Sequence, residues 1–520
     1  MSIENSGDTA SPRRRSGGRA GHERHTLPQQ RPWGQPRLRY GPTSAISEDE
    51  LESIHVASLR VLSEIGMDFL DPDAREILRA AGAHIEPDSQ RVRFDPEMVN
   101  EIIKTAPSTF TLHARNPAYD VKLGGDWIAY GTVGSPPNVA DLDRGRRIGN
   151  RVDYQNLLRL AQSLNAIHFL SGYPVEPVDL HHGVRHLHAT FDALTLMDKA
   201  VHCYSLGRQR NIDVLEMVRI ARGVDAATIE REPSVFTVVN SSSPLRLDTP
   251  MLQGIMEFAA HNQVVCITPF TLAGAMAPVT LAGALAEQNA EALAGIALTQ
   301  AVNPGAPVIY GGFTSNVDMQ SGAPAFGTPE GMRTSLIGGQ LARRYGVPYR
   351  SSNVNAANAL DAQAAYESVF SLWGAIMGGV NLLMHGAGWM EGGLHASYEK
   401  MILDAELLDM VSAFLDPVVV DQDTLAFDAM VEVGPGGHFF GAEHTQSRFR
   451  TAFHKPMLSD WRNYETWQEA GSPELPSKAN RIWKELLAAY EPPPMDPAIL
   501  EELEAFVARR VAEGGVPTDY

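Results

Sequence analysis

The feature that most constrains this chain is a repeat of pattern, not of residues. Short apolar, β-branched runs recur at 127–134, 166–175, 199–207, 234–244, 264–275, 307–319, 347–358 and 381–393, with starts about 30–43 residues apart. Most are followed by a stretch with helical apolar spacing, such as VDYQNLLRLAQSL, RNIDVLEMVRIARG and AEALAGIALTQAV. That interval is the length of one strand plus its crossover helix. Strands that are apolar along most of their length are those covered on both faces, as in a parallel sheet. Eight such units in succession predict an α/β fold built on a parallel (β/α)8 TIM barrel over 127–415. A doubly wound open sheet is the competing arrangement. It usually has fewer strands and carries a Gly-rich dinucleotide fingerprint after the first, which is missing here.

The flanks read differently. Residues 1–40 hold Arg13, Arg14 and Arg15 plus Arg19, Arg24, Arg31, Arg37 and Arg39 among Gly, Ser, Pro and Gln. Without the apolar segment of a secretory signal, this is expected to be a solvated, disordered basic tail. Residues 41–126 suggest an N-terminal α/β cap. An amphipathic helix is expected at 46–66, capped by Ser47, with Leu51, Ile54, Leu62 and the small Ser58 on one face. A helix near 72–81, strands at RVRFD and TFTLHAR, and a helix opening at Pro96 complete it. Residues 416–520 are too polar to form a barrel layer. They are expected to form a C-terminal helical extension that packs on the barrel rim or on a second subunit.

Bulk properties narrow the function. The 520 residues are 44% hydrophobic, enough for a large core, and carry a net charge of −19. So acidic a chain is a poor nucleic-acid binder, since backbone neutralisation needs clustered Lys and Arg. No uninterrupted apolar stretch approaches the ~20 residues of a membrane span. Cys203 and Cys266, the only cysteines, cannot make a disulfide framework, and are read as buried reduced thiols of a cytoplasmic protein.

A barrel of this kind puts its chemistry at the C-terminal ends of the strands. There the chain offers Tyr204, Asn240, Ser241, Phe270, Phe313, the tract Arg350–Asn355, His385, Trp389 and Glu391. Aromatic rings, hydroxyls and amides dominate, with few acids or bases. Amidohydrolase-type metal sites need several His and Asp there. The cluster His181, His182, His186 and His188 contains one ligand-like pair, but at the start of a helix and with no acid inside it, so a metal-dependent barrel hydrolase stays open only as an alternative. A glycosidase needs two facing carboxylates, and Glu391 has no evident mate. An aromatic and amide-lined mouth suits a small cation, a quaternary ammonium being drawn to ring faces by roughly 0.5–2 kcal/mol per contact. Tyr204, Phe270, Phe313, Tyr349 and Trp389 are the candidate cage; His385 and Glu391 are candidate positioning groups.

The stretches GAPVIYGGFTSNVDMQSGAPAFGTPE, LARRYGVPYRSSNVNAANALDAQAAYES and NLLMHGAGWMEGGLHASYEKMILDAELLDM resemble the trimethylamine–corrinoid methyltransferase family, as does APVTLAGALAEQNAEALAGIALTQ. The resemblance runs from about residue 45 to 470. It implies a barrel enzyme that hands a methyl group to Co(I) of a corrinoid, the cobalamin cofactor being presented by a small partner protein. A homo-oligomer is expected. In the founding members pyrrolysine stands at the end of the seventh strand; aligned by Tyr349, Asp361 and Gln363, that position is Val354. The chain therefore resembles the non-pyrrolysine branch, known for glycine betaine and related quaternary amines. Turnover of trimethylamine itself is the other reading. A betaine carboxylate would call for a donor, and Arg350 with Asn240, Ser241 or Asn353 is the best-placed set.

Overall fold

The computed structural model describes residues 27–517; Arg13, Arg14, Arg15, Arg19 and Arg24 of the expected tail lie outside the described residues. At its centre is a parallel sheet of seven strands: β1 (Ala129–Thr132), β2 (Val201–Tyr204), β3 (Val235–Val239), β4 (Val264–Ile267), β5 (Val308–Gly311), β6 (Tyr349–Ser352) and β7 (Leu382–Ala387). Their spatial order is β1-β7-β6-β5-β4-β3-β2. From β2 to β7 neighbours in sequence are neighbours in the sheet, and the last strand returns to the first, with Leu382 and Leu383 opposite Ala129 and Tyr130. From β2 onward each pair of strands is joined through helix, as the length of the repeat requires.

The expected second strand, at 166–175, does not form as a strand. Between β1 and β2 the chain makes only isolated parallel bridges, Gly131 with Phe169 and Phe169 with Ala200. The reason is a side chain in the ladder. The Tyr130 amide donates to Nδ1 of His168 at 2.9 Å, while the amides of His168 and Phe169 both turn to the Tyr130 carbonyl, at 2.7 and 3.3 Å. An imidazole occupies a rung that backbone would otherwise fill.

Alternate strand residues face opposite sides. The inward set, including Phe169, Phe236, Val264, Cys266, Ile309 and Leu382, forms a core inside the sheet. A hairpin of Thr109–Leu112 and Val121–Gly124 contributes Leu112, Val121 and Leu123 to this core at the N-terminal end of the strands. The opposite end stays open. Two expected strands are in fact split there: 264–275 and 307–319 each continue past a break into short rim strands, Leu272–Ala273 and Ser315–Val317, which pair with each other. A second rim sheet joins Trp389–Met390, His395–Ser397, Asn138–Asp141 and Gly145–Ile148.

Ahead of the central sheet, the helices expected at 46–66, near 72–81 and from Pro96 form as Glu48–Arg60, Pro72–Ala80 and Pro96–Ile103. The helix Glu48–Arg60 starts at a capping box of Ser47 and Glu50, an arrangement worth about 1 kcal/mol. Its Ser58 hydroxyl donates to the Ala286 carbonyl at 2.9 Å and accepts from Asn289 at 2.9 Å, an approach only a small residue permits. This contact explains the helix Leu281–Val302, which is buried on nearly every side: sheet lies on one face and cap on the other. This N-terminal segment is tied further to the connection after β3 by parallel pairing of Met67–Phe69 with Arg246–Leu247.

Of the tail expected over 1–40, residues 27–40 are described, and they make contacts with the rest of the chain. Leu38 is buried and its amide meets the Asp126 carbonyl at 2.8 Å. Arg37 stacks on Trp127 at 4.7 Å and pairs with Asp126. The basic composition masked two apolar anchors, Trp33 and Leu38. At the other end, the helix Leu475–Ala488 packs on Tyr398–Leu415 through Trp483, whose Nε1 donates to Glu399 at 2.9 Å. The helix Pro497–Ala512 is fastened by Arg510 to Asp213 at 2.8 Å. Among the described residues no helix is long and apolar enough to cross a membrane.

Candidate active site

A cavity of about 310 Å³ opens at the C-terminal ends of the strands. Seven of the twelve candidate residues line it: Tyr204, Asn240, Phe270, Phe313, Arg350, His385 and Trp389. Tyr204 and Arg350 come from strands, and Asn240, Phe270, Phe313 and Trp389 from the segments just past β3, β4, β5 and β7. Tyr204 ends β2, Asn240 follows β3, and Arg350 is the second residue of β6. His385 also comes from a strand. It sits within β7 at φ +55°, where the register with β1 shifts between Leu383 and Ala387. The irregularity turns its ring inward next to Met384, which also faces the cavity. Such a backbone costs roughly 1–3 kcal/mol and recurs at functional sites. Ser135, another lining residue, also has positive φ.

The walls are aromatic. Phe270 lies 5.1 Å from Phe313, Phe313 5.8 Å from both Phe326 and His385, and His385 4.2 Å from Trp389, centroid to centroid. Across the cavity His202 stands 4.7 Å from Tyr204. The Tyr204 hydroxyl is held by the Tyr173 amide at 2.8 Å and by Ser135.

Arg350 is the dominant charge. It is 2% exposed, its guanidinium lies 4.9 Å over the Phe313 ring, and one nitrogen donates to the Gly312 carbonyl at 3.2 Å. Its Nε has no partner, and among the described residues no carboxylate pairs with it. Burial pushes its pKa down to about 10, so it remains a cation at neutral pH. Among the described residues, the ion pair that a rim arginine would ordinarily make is not there. Other polar atoms are unpartnered too: both ring nitrogens of His202, the Ser171 hydroxyl and the Trp389 Nε1. Buried donors and acceptors left open in this way mark a place where a polar ligand completes them. Burial pushes the His202 pKa down to about 3, and burial with the neighbouring Arg350 charge holds His385 well below its usual range. Both rings are neutral.

The other five candidates lie elsewhere. Tyr349 faces the helix Pro329–Tyr345, donating to the Ser335 carbonyl at 2.9 Å. Val354 and Tyr349 line a narrow crevice of about 30 Å³. Asn353 staples β6 to β7 through the Gly386 carbonyl at 2.9 Å. Ser241 and Ser243 both donate to Glu291, which also takes the Leu245 amide at 2.6 Å. Glu391 is engaged by Arg146 at 2.7 Å and His395 at 2.8 Å, although Gly392 and Gly393 behind it reach the cavity. In the histidine cluster, His186 is committed to Asp213 at 2.9 Å. Among the described residues no group of three or more His, Cys, Asp or Glu converges.

Sequence reasoning missed His202, Met384 and Phe326. The first had a signal: it is two residues before Tyr204 on one strand, so the two must face the same way. Phe326 belongs to a rim loop and had none.

A family profile described as trimethylamine methyltransferase (MTTB) matches residues 12–515. The chain is similar to glycine betaine methyltransferase of Desulfitobacterium hafniense strain Y51, with 39% identity over 471 residues, 90% of this chain and 98% of that protein. It is similar to trimethylamine methyltransferase MttB1 of Methanosarcina mazei at 29% identity, over 88% of this chain and 93% of that one. Trimethylamine methyltransferase MttB of Desulfitobacterium hafniense strain DCB-2 also stands at 29%, over 91% and 95%.

Proposed function

The chain belongs to the trimethylamine methyltransferase family, and from that premise we propose that it moves a methyl group from a carboxylated quaternary amine to Co(I) of a corrinoid held by a separate protein. Glycine betaine or a near relative is the substrate. The observation that carries the substrate class is Arg350, a buried cation with no carboxylate partner among the described residues, set against aromatic rings. The guanidinium calls for an anion, and the ring faces accept a quaternary ammonium. A betaine brings both charges on one small molecule; trimethylamine brings no anion. The higher identity to a glycine betaine methyltransferase than to the trimethylamine enzymes supports the same reading.

The chemistry needs little from the protein beyond position and charge. Co(I) attacks a methyl carbon in line, the C–N bond breaks, and the electron pair stays on nitrogen, which leaves as a neutral tertiary amine. No proton moves, which suits a site whose two histidines are neutral. Arg350 contributes a differential effect. It attracts the carboxylate throughout, while its repulsion of the ammonium is relieved as the nitrogen loses charge, so the transition state gains over the bound substrate. Val354, at the position that the family resemblance assigns to pyrrolysine, cannot form an adduct with an amine, which favours substrates already charged.

The sheet order and the bridges through Phe169 support a closed eight-stave barrel in which 168–170 is the irregular stave. Two buried thiols and the need for Co(I) suit the reducing cytoplasm. Calorimetry tests the substrate class: glycine betaine binds, while choline, tetramethylammonium and trimethylamine bind at least ~10-fold more weakly because each leaves Arg350 unanswered. Equal or tighter binding of the uncarboxylated amines would overturn it.

A further inference from the structure

Lys400 and Asp404 lie on the helix Tyr398–Leu415, directly behind the cavity wall. Both side chains are fully buried, and Lys400 Nζ donates to Asp404 Oδ1 at 2.5 Å. Out of water an ion pair stabilises a fold little more than apolar groups of the same volume, because desolvation offsets the attraction. Its other hydrogen bonds show what such groups could not supply. Asp404 Oδ2 accepts the Gly388 amide at 2.8 Å. Gly388 is the first residue past β7 and has φ +103°, a conformation that favours glycine. On the other side, Lys400 Nζ donates to Ser368 Oγ at 2.8 Å. The same oxygen accepts from Asn355 Nδ2 at 3.4 Å, and that nitrogen also donates to the Trp389 carbonyl at 2.7 Å. The Ser397 amide holds the Gly388 carbonyl at 3.0 Å. Gly388–Trp389 is thus gripped at its first amide and at both carbonyls, and two of those three contacts lead back to the ion pair.

This dipeptide follows the irregular end of β7 that turns His385 inward. Its Trp389 ring lines the cavity, 4.2 Å from His385 and 6.3 Å from Phe313. We propose that Lys400 and Asp404 are positioning residues: through Gly388, Ser368 and Asn355 they set the Trp389 ring against the bound quaternary ammonium. An apolar pair would fill the same space but give Gly388 no acceptor and Ser368 no donor, leaving the backbone that carries Trp389 free to shift. A displacement of about 1 Å in a group that orients substrate can cost ~10²-fold in rate. The proposal rests on reading Trp389 as part of the ammonium cage, and the pair acts through that ring without touching substrate.

Two neutral pairs separate positioning from stability. Lys400→Met/Asp404→Leu removes both charges and their hydrogen bonds, whereas Lys400→Gln/Asp404→Asn keeps an acceptor for Gly388 and a donor for Ser368. With glycine betaine and reduced cobalamin, the apolar pair should lose ~10–100-fold in kcat/KM, and the amide pair should restore most of it. The loss should not add to that of Trp389→Phe: introducing the apolar pair into that variant should cost less than ~2-fold more. Should the apolar pair fold poorly in urea titrations, Ser368→Ala carries the same cycle, since it cuts the link to Asn355 and keeps the ion pair. Hydrogen exchange needs no substrate, and the Gly388 amide should exchange at least ~10-fold faster in the apolar pair than in the wild type. Losses that add to Trp389→Phe, an amide pair as slow as the apolar one, or unchanged exchange at Gly388 would each overturn the inference. Faster exchange at Gly388, with a wild type that leaves betaine untouched, would support the positioning role and count against the substrate reading instead.

Discussion

Replacing Arg350 by methionine separates function from stability in a way few substitutions do. In the free protein the guanidinium is a desolvated cation with one 3.2 Å hydrogen bond and a ring contact, and no counter-charge. Methionine keeps an unbranched apolar stem but ends about two heavy atoms short of the guanidinium nitrogens; it removes the buried charge and gives up that bond. The first change is worth a few kcal/mol in favour and the second about 1 against, so the free variant should be as stable as the wild type or more so. The pH sense is fixed by the depressed pKa of about 10. The penalty is fully present below pH 10 and is relieved only as the pH rises above it, so the comparison at pH 7 sees all of it. With betaine the balance reverses. Two charge-assisted hydrogen bonds at roughly 1.5–3 kcal/mol each imply a loss of about 3–6 kcal/mol, or ~10²–10⁴-fold in kcat/KM. Thermal melts with and without 100 Kd of betaine should show ~2.7 kcal/mol of stabilisation for the wild type and none for Arg350→Met. A variant that melts early yet keeps its turnover would show Arg350 to be a structural residue and refute the reasoning.

The buried histidines make the molecule acid-sensitive. His202 has a folded pKa of about 3 against about 6.5 unfolded, so its contribution is intact above pH 6.5 and lost as the pH falls towards 3. His202→Phe should gain on the wild type by up to ~1.4 kcal/mol per pH unit below 6; urea midpoints at pH 7 and 5 that differ by the same amount would contradict this. Because neither His202 nor His385 titrates near neutrality, kcat/KM should be flat from pH 6 to 9, and a bell-shaped profile would point to an acid or base the cavity does not show. Lys400 and Asp404 form a fully buried pair, with Asp404 also taking the Gly388 amide at 2.8 Å. Lys400→Met should cost about 3–5 kcal/mol in chemical denaturation, and adding Asp404→Leu should recover part of it. Val354→Ala should change kcat/KM less than ~3-fold, since its side chain lines the narrow crevice and not the cavity.

How far the sequence could be read depended on which groups fill the ladder. Seven apolar runs became strands, paired through backbone ladders with their neighbours; side chains enter two of these strands at their first residues, where Asn381 takes the Tyr349 amide and Gln263 the Val235 amide. At 166–175 the run is just as apolar, but the His168 ring takes the Tyr130 amide, and no periodicity encodes a ring replacing a carbonyl. The polar tract after Tyr349 looked like one ligand-binding loop. Parity divides it: Arg350 enters the cavity, while Tyr349 and Ser351 turn to Ser335 on the neighbouring helix. Asn353 and Asn355 go to carbonyls of Gly386 and Trp389, so residues chosen for their polarity became staples. His385 could be named as polar but not aimed, because its direction comes from an irregularity in β7. Residues 417–457 gave least warning: among the described residues of that stretch only Ala429 and Ala442 are buried, so most of its side chains pack on nothing that a sequence pattern could reveal.

The central claim reduces to which methyl group reaches cobalt. Enzyme is incubated anaerobically with reduced cobalamin and glycine betaine carrying deuterated methyls, and the Co(I) band is followed to methyl-Co(III) while the organic product is weighed by mass spectrometry. The account predicts deuteromethylcobalamin and dimethylglycine in equal amounts, with trimethylamine inert under the same conditions. Methylation of cobalt from trimethylamine, with betaine left unchanged, would contradict it.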